Sequence, residues 1–335
     1  MVLLTTDRVR TLFDAIDGAE IAVVGDVMLD RYFWGSVHRV SPEAPVPVVD
    51  IDDESFHLGG AANVASNLQG LKCTPLLCGV VGADGSGDIV RNICAERGLS
   101  TDGIVQQRER PTTVKTRVIG NNQQIVRLDR ETREHVPAEV ADHFANLLRS
   151  RPNLRAIILE DYDKGLLSPR LITALMNVAK ERAIPVFVDP KRRHFFDFTE
   201  CTLFKPNRKE AADALQTVLR TEEDVRKAGR ELLMRLRCES VLITLGAEGM
   251  MLFERNGAVS SVATRAKNVA DVSGAGDTVI ATLAATAAAG ASMAEAAAIA
   301  NIAAGLVVAE PGIVSVTSAQ VLAAVEDEHH AAEQQ

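Results

Sequence analysis

Short, almost uninterrupted apolar runs alternate along this chain with segments of helical spacing. IAVVGDVML (Ile21–Leu29), PLLCGVVG (Pro75–Gly82), AIILEDY (Ala156–Tyr162), PVFVDP (Pro185–Pro190) and SVLITLG (Ser240–Gly246) predict strands. Runs without polar alternation fit strands covered on both faces, as in parallel sheets. Between them, Asp88–Arg97, Ala138–Ser150, Ser168–Arg182 and Glu222–Arg237 predict helices. Ser168-Pro169, and Thr221 followed by Glu222, Glu223 and Asp224, mark two helix starts, each a hydroxyl cap with proline or acids in the first turn. The rhythm predicts an α/β fold with one doubly wound, mostly parallel sheet flanked by helices.

Two segments break that rhythm. Residues 33–56 include the proline-rich SPEAPVPVV and have no helical period. Pro111–Arg130 alternates like a hairpin about Gly120-Asn121-Asn122. Together they predict a small β lid, with segments at 33–56 and 111–130 inserted in a single domain spanning 1–335.

Composition narrows the partners. The 335 residues are 47% hydrophobic, enough for a large core, and carry a net charge of −9. That balance argues against a nucleic-acid partner, which normally meets a basic face. Five cysteines without a C-x-x-C pair read as reduced, buried thiols rather than a disulfide framework or zinc site. The N-terminal segment lacks the long apolar stretch of a signal peptide. The Ala-rich region 275–309 is interrupted by Asp277, Glu295 and Asn301, which reads as packed helices rather than a membrane span. A cytoplasmic protein without a membrane partner is the expectation.

The sharpest chemical signal is Asp271-Val272-Ser273-Gly274-Ala275-Gly276-Asp277-Thr278, followed by an Ala-rich helical run. Small residues entering a helix leave its first amides free, and with the helix dipole these suit a phosphoryl group. A carboxylate placed there would repel phosphate unless it has work to do. Taking a proton from an attacking hydroxyl is such work, which makes Asp277 the candidate base and Gly274, Ala275 and Gly276 its anion cradle. A second signal is Leu58-Gly59-Gly60-Ala61-Ala62-Asn63, where exposed backbone at Gly59 and Gly60 and the Asn63 amide could hold sugar hydroxyls. Taken alone, each string also reads as an ordinary helix cap or turn.

In order and separation, GGAANVA and DVSGAGDT resemble the two signature motifs of the ribokinase-like (PfkB) carbohydrate kinases. The resemblance runs from about Ile21 to Leu322. It implies an ATP-dependent sugar kinase using Mg2+, with Asp30 at the end of GDVMLD on sugar hydroxyls. Asn207-Arg208-Lys209-Glu210 resembles the N-x-x-E motif near magnesium and phosphates, with Asn207 and Glu210 acting on the metal through water. Thr244-Leu245-Gly246-Ala247-Glu248-Gly249 resembles the loop along ATP, assigning Thr244, Gly246 and Gly249 to the nucleotide. Related kinases also bind a monovalent cation near the Asp271 loop and dimerise through their lids, so a homodimer is implied.

VVGDVMLDRYFWG, RVSPEAPVPVV, NNQQIVRLD, Asp161-Tyr162-Asp163-Lys164-Gly165 and Asp189-Pro190-Lys191 resemble the heptose-phosphate branch of this family. That branch phosphorylates O1 of a heptose 7-phosphate on the route to ADP-heptose and lipopolysaccharide core. In many bacteria it is fused to a nucleotidyltransferase; this chain resembles the kinase part alone. Asp161 and Lys191 then join the substrate site. A far-end phosphate needs cations, and Lys115 and Arg127, flanking the proposed turn nearly opposite each other, are the candidates. Arg39, Arg117, Lys164, Arg192 and Arg193 stand nearby in sequence or on the lid. One departure is Ala61, where the general ribokinase motif has lysine, which leaves open the cation that meets the sugar. The alternatives are a kinase for another sugar or nucleoside, and a sugar-phosphate-binding regulator without catalysis. Neither G-x-G-x-x-G nor a P-loop occurs, which sets aside a dehydrogenase or P-loop enzyme.

Overall fold

The computed structural model describes residues 4–264, 269–310 and 312–333. The chain opens with α1 (Thr6–Ile16), β1 (Glu20–Gly25), β2 (Val27–Val40), β3 (Pro47–Gly60), α2 (Ala61–Gly70), β4 (Thr74–Gly82), α3 (Gly85–Glu96) and β5 (Ile104–Gln107). It continues through β6 (Thr113–Gly120), β7 (Gln123–Arg130), α4 (Ala138–Arg149), β8 (Leu154–Glu160), α5 (Pro169–Arg182), β9 (Val186–Asp189) and β10 (Leu203–Phe204). Then follow α6 (Arg208–Leu215), α7 (Glu222–Leu236), β11 (Ser240–Thr244), β12 (Met250–Glu254), β13 (Val259–Val262), α8 (Ala275–Ala288), α9 (Met293–Val307) and α10 (Ser318–Glu333).

Nine strands form the main sheet in the order β13-β12-β11-β10-β9-β8-β1-β4-β5. All neighbours from β11 to β5 are parallel, and only the β11-β12-β13 edge is antiparallel. The continuous apolar runs are explained by cores on both faces. Ile21 and Val23 of β1 join one core with Val64 of α2 and Ile280 of α8. Ala22 and Val24 join the other with Phe144 of α4 and Leu175 of α5. Ser168 and Thr221 cap α5 and α7 as their sequence indicates, and Thr221 completes a capping box with Asp224. The five cysteines are free and buried. Among the described residues no helix is long and apolar enough to cross a membrane.

A second sheet, β3-β2-β6-β7, rises from the end of β1. Here the structure corrects the expected boundaries. Ile21–Leu29 is not one strand: the chain leaves the main sheet at Asp26, and Val27 already belongs to the lid. The lid strands therefore begin at Val27 and end at Gly60, beyond the expected 33–56. Asp26 is the divider because its buried carboxylate accepts the amides of Tyr162, Lys164 and Leu166 at 2.9, 3.0 and 3.2 Å. The β6–β7 turn is the pair Asn121-Asn122, with φ of 51° and 64°. Two successive left-handed residues suit the twist of a hairpin, and asparagine tolerates them best after glycine.

Parallel register brings the carboxyl ends of the strands to one rim. Glu160 pairs with Gly25 on one side and with Asp189 on the other. Lys205 follows β10, and Asn207 bridges to Thr244 at the end of β11. Open α/β sheets bind ligands along this rim.

Candidate active site

Helix α8 starts at Ala275 behind Gly274, whose φ of 79° is the left-handed turn that glycine makes without strain. No side chain caps this helix end. Ala275 N reaches Val272 O at 3.4 Å, and the amides of Gly276 and Asp277 have no acceptor among the described residues. They are free for an anion.

Asp277, 5% exposed, sits in that first turn. Its Oδ2 accepts from Asn63 Nδ2 at 2.7 Å and its Oδ1 from the Tyr162 hydroxyl at 2.8 Å. Burial pushes its carboxyl up to about 6; the two hydrogen bonds and Lys205 oppose that, while Asp189 adds to it. Such a group is ionised at neutral pH yet holds a proton nearly as well as water-exposed imidazole does, which suits general-base work. Asn63 therefore faces the carboxylate rather than open space. Its orientation follows from α2 packing on α8, where Asn67 bonds to Asn63 O at 3.0 Å and accepts from Thr278 at 3.0 Å.

Asp277 belongs to a buried charge cluster. Glu160, Asp189 and Asp277 each offer an oxygen within 4.8 Å of the others. Lys205 Nζ lies 2.7 Å from Asp189 Oδ2, both side chains nearly sealed from solvent. Neither Glu160 oxygen has a hydrogen-bond partner among the described residues. Burial first, then the Asp189 and Asp277 charges, raise the Glu160 carboxyl well above its ordinary value. A buried carboxyl without partners beside two others is an oxygen donor set that fits a hard divalent cation.

The residues expected on the sugar side fall on the lid strands and on the loops that follow β8 and β9. Asp30, 3% exposed, pairs with Arg117 across β2 and β6, and Arg117 lies over the Tyr32 ring. Gly59 makes this possible, since a Cβ there would stand 2.2 Å from Asp30 Oδ2. A Cβ on Gly60 would stand 2.3 Å from Asp26 O. Asp161 accepts from Asp163 N at 2.8 Å and Lys191 N at 3.4 Å, and burial pushes its carboxyl up to about 7. It braces the loop. Lys191 pairs with Glu210 at 2.6 Å, and Lys164 with Glu131 at 2.6 Å.

The expected pairing of Lys115 with Arg127 is not what the hairpin makes. Lys115 stands opposite Asp129, and Arg127 opposite Arg117. A bulge between Val118 and Ile119 shifts the register that a simple count from the turn suggests. Lys115 is half-buried and has no ion-pair partner among the described residues; its Nζ lies 5.2 Å from the Tyr162 ring centre. Burial first lowers its pKa; Asp30 opposes this, and Lys164, Arg117 and Arg127 add to it.

The two segments expected on the nucleotide side lie next to each other, Asn207 bridging to Thr244. Asn207 and Glu210 form a reciprocal capping box at the start of α6. Arg208 reaches Glu248 at 2.5 Å, tying this segment to the Thr244–Gly249 loop. In that loop Leu245 N bonds to Gly249 O at 2.8 Å, with left-handed Gly246 and Gly249. Lys209 is exposed. The reading of residues alone missed Tyr162, Glu160, Asp189 and Lys205 as members of the site. Each is a polar residue at or just past the end of an apolar run, but only strand register brings them together.

The pattern of the pfkB family carbohydrate kinase matches residues 19–319. The bifunctional protein HldE of Geobacter metallireducens is 41% identical over 323 residues, covering 96% of this chain and 66% of that protein. HldE of Caulobacter vibrioides is 44% identical over 319 residues, covering 95% and 65%. The chain thus spans about two thirds of the length of these curated relatives. Among solved structures, Arabidopsis thaliana ribokinase complexed with ribose and ATP superposes with a TM-score of 0.75 at 18% identity, covering 92% of this chain and 99% of that one. Escherichia coli phosphofructokinase-2 in complex with fructose-6-phosphate gives 0.74 at 16% identity, covering 92% and 98%. These two share the fold.

Proposed function

The chain belongs to the pfkB family of carbohydrate kinases, and we propose that its sugar is D-glycero-β-D-manno-heptose 7-phosphate, phosphorylated at O1. It is an ATP-dependent sugar kinase; the identity of the sugar is the added step. Relatives named HldE over nearly the whole chain support it, as does the likeness of the lid strings to heptose-phosphate kinases. The observation that carries it is Lys115, a half-buried cation near the Tyr162 ring that has no ion-pair partner among the described residues, with Asp30 the acidic group near it and Lys164, Arg117 and Arg127 the cations. Leaving such a charge unpaired is costly, and an anionic group on the sugar would offset the cost.

In this reading Asp30, with Gly59 and Gly60 giving room, binds sugar hydroxyls, and Asp277 accepts the O1 proton as O1 bonds to the γ-phosphorus of ATP and the bond from that phosphorus to the β,γ-bridging oxygen breaks, releasing ADP. The Gly276 and Asp277 amides hold the transferring group as its charge develops. ATP lies along Asn207–Glu210 and Thr244–Gly249. Magnesium would be held by Glu210 and Asn207 through water, with the Glu160–Asp189 oxygens as further donors, and would supply neutralisation of phosphate charge. Exposed Trp34, Val126 and Leu128 on the lid support a homodimer through these sheets, which light scattering of the purified protein tests.

The deciding experiment compares ATP consumption with heptose 7-phosphate, unphosphorylated heptose, fructose 6-phosphate and ribose. A clear preference in kcat/KM for heptose 7-phosphate is expected. Equal values for ribose would return the protein to an unspecified sugar kinase.

A further inference from the structure

Tyr162 has three attachments that fix where its hydroxyl points. Its backbone amide donates to the buried Asp26 carboxylate at 2.9 Å, the same carboxylate that gathers Lys164 and Leu166. Its ring lies 5.2 Å from Lys115 Nζ of the lid and 5.2 Å from Lys191 Nζ beyond β9, so cations from both sheets hold the ring. Its hydroxyl ends 2.8 Å from Asp277 Oδ1, while Asn63 holds Oδ2 at 2.7 Å. An aspartate carboxylate otherwise turns broadly about its last bond. Two donors from different elements, one on each oxygen, select a single orientation.

We propose that Tyr162 is a positioning residue for phosphoryl transfer, aiming the Asp277 carboxylate at the sugar hydroxyl. The inference rests on the reading of Asp277 as the base. Misplacement of a reacting group by about 1 Å costs up to about 10²-fold in rate, so losing one of two holds should be visible in turnover.

Tyr162→Phe tests it, because it deletes only the hydroxyl and keeps the ring between the two lysines. Steady-state kinetics with heptose 7-phosphate and ATP should show kcat lower by about 10-fold, with both KM values within about twofold of the unchanged enzyme. Melting temperature and ATP affinity, measured directly, should also hold. A kcat equal to wild type overturns the proposal. So does a fall in ATP affinity and melting temperature together, which would make Tyr162 a structural residue only. Asp277→Asn is assayed in parallel. If it retains turnover, the base reading fails and takes this inference with it. If it abolishes turnover while Tyr162→Phe does not change it, only Tyr162 loses its role.

Discussion

Arg127 is clasped by Asp129, two residues further along the same strand, with Nε to Oδ1 and Nη2 to Oδ2 both at 2.9 Å. The pair is bidentate, so the guanidinium has its natural partner before any substrate arrives. Both residues are on β7, whose strand positions are solvent-exposed throughout. Lys115, one strand inward, has no ion-pair partner among the described residues, in keeping with the ligand role proposed for it.

The two cations should therefore part company on mutation. Lys115→Ala is expected to raise KM for heptose 7-phosphate by about 10-fold or more, in line with about 1.5–3 kcal/mol for a charged hydrogen bond. Arg127→Ala should change it by no more than about threefold, since an exposed pair is worth at most about 1 kcal/mol. KM for ATP should stay put in both. Equal losses in the two variants would show that the far phosphate is shared between them.

Asp277→Asn should lower kcat by about 10²-fold or more while ATP still binds, because the amide keeps the shape and cannot take the proton. The pH profile gives a second reading. With the carboxyl pushed up to about 6, the base is protonated below that value, so kcat/KM should fall as pH drops through about 6 and level off above it. An acid limb near the ordinary aspartate value of 3.8 would mean that the titrating group is another one.

The main sheet was legible because a strand covered on both faces has no polar alternation to blur, and its runs at residues 75–82, 156–160 and 240–244 stand out for that reason. The short strands β5, β10 and β13 were not: Ile104–Gln107 and Val259–Val262 are half polar, and Leu203–Phe204 is only two residues long. Asp26 shows a subtler failure: an apolar run with one acid reads as a single strand, yet that acid is where the chain changes sheets. The proposed base and its proposed anion cradle lie on one continuous string, Asp271–Thr278, and so could be read locally. Glu160, Asp189 and Lys205 were not, because they meet only through the register of separate strands, which no local pattern states. The Lys115–Arg127 expectation missed by two residues: the turn is centred between Asn121 and Asn122 rather than on Asn121, and the bulge adds one more, which sets Lys115 opposite Asp129.

Glu160→Gln should stabilise the protein in a pH-dependent way. The carboxyl is raised from 4.5 by burial first and then by Asp189 and Asp277. Above about 4.5 the unfolded chain has released this proton while the folded one still holds it, so wild-type stability declines as pH rises from there. Glutamine carries no such proton. Thermal melts with chelator present should coincide near pH 4 and separate as pH rises, the variant melting higher. A constant gap at every pH would mean that Glu160 is ionised and paired in the folded protein.

The remaining question is which oxygens meet magnesium. Glu210 has both of its own engaged, Oε1 with Lys191 at 2.6 Å and Oε2 with the Asn207 amide at 2.8 Å. Glu210→Gln can keep the capping contact, since glutamine serves that position as well as glutamate. It removes the charge that faces Lys191 and, in the proposed arrangement, a water on the metal. Its magnesium titration at fixed ATP should shift upward by about 3- to 10-fold with a lower kcat, a loss of about 1 kcal/mol. Lys191→Met separates the two effects: it breaks the same ion pair but leaves the carboxylate in place. If only Glu210→Gln moves the magnesium curve, the carboxylate acts on the metal. If both variants lower kcat alike and neither moves that curve, Glu210 serves to hold Lys191, and the metal belongs to Glu160 and Asp189.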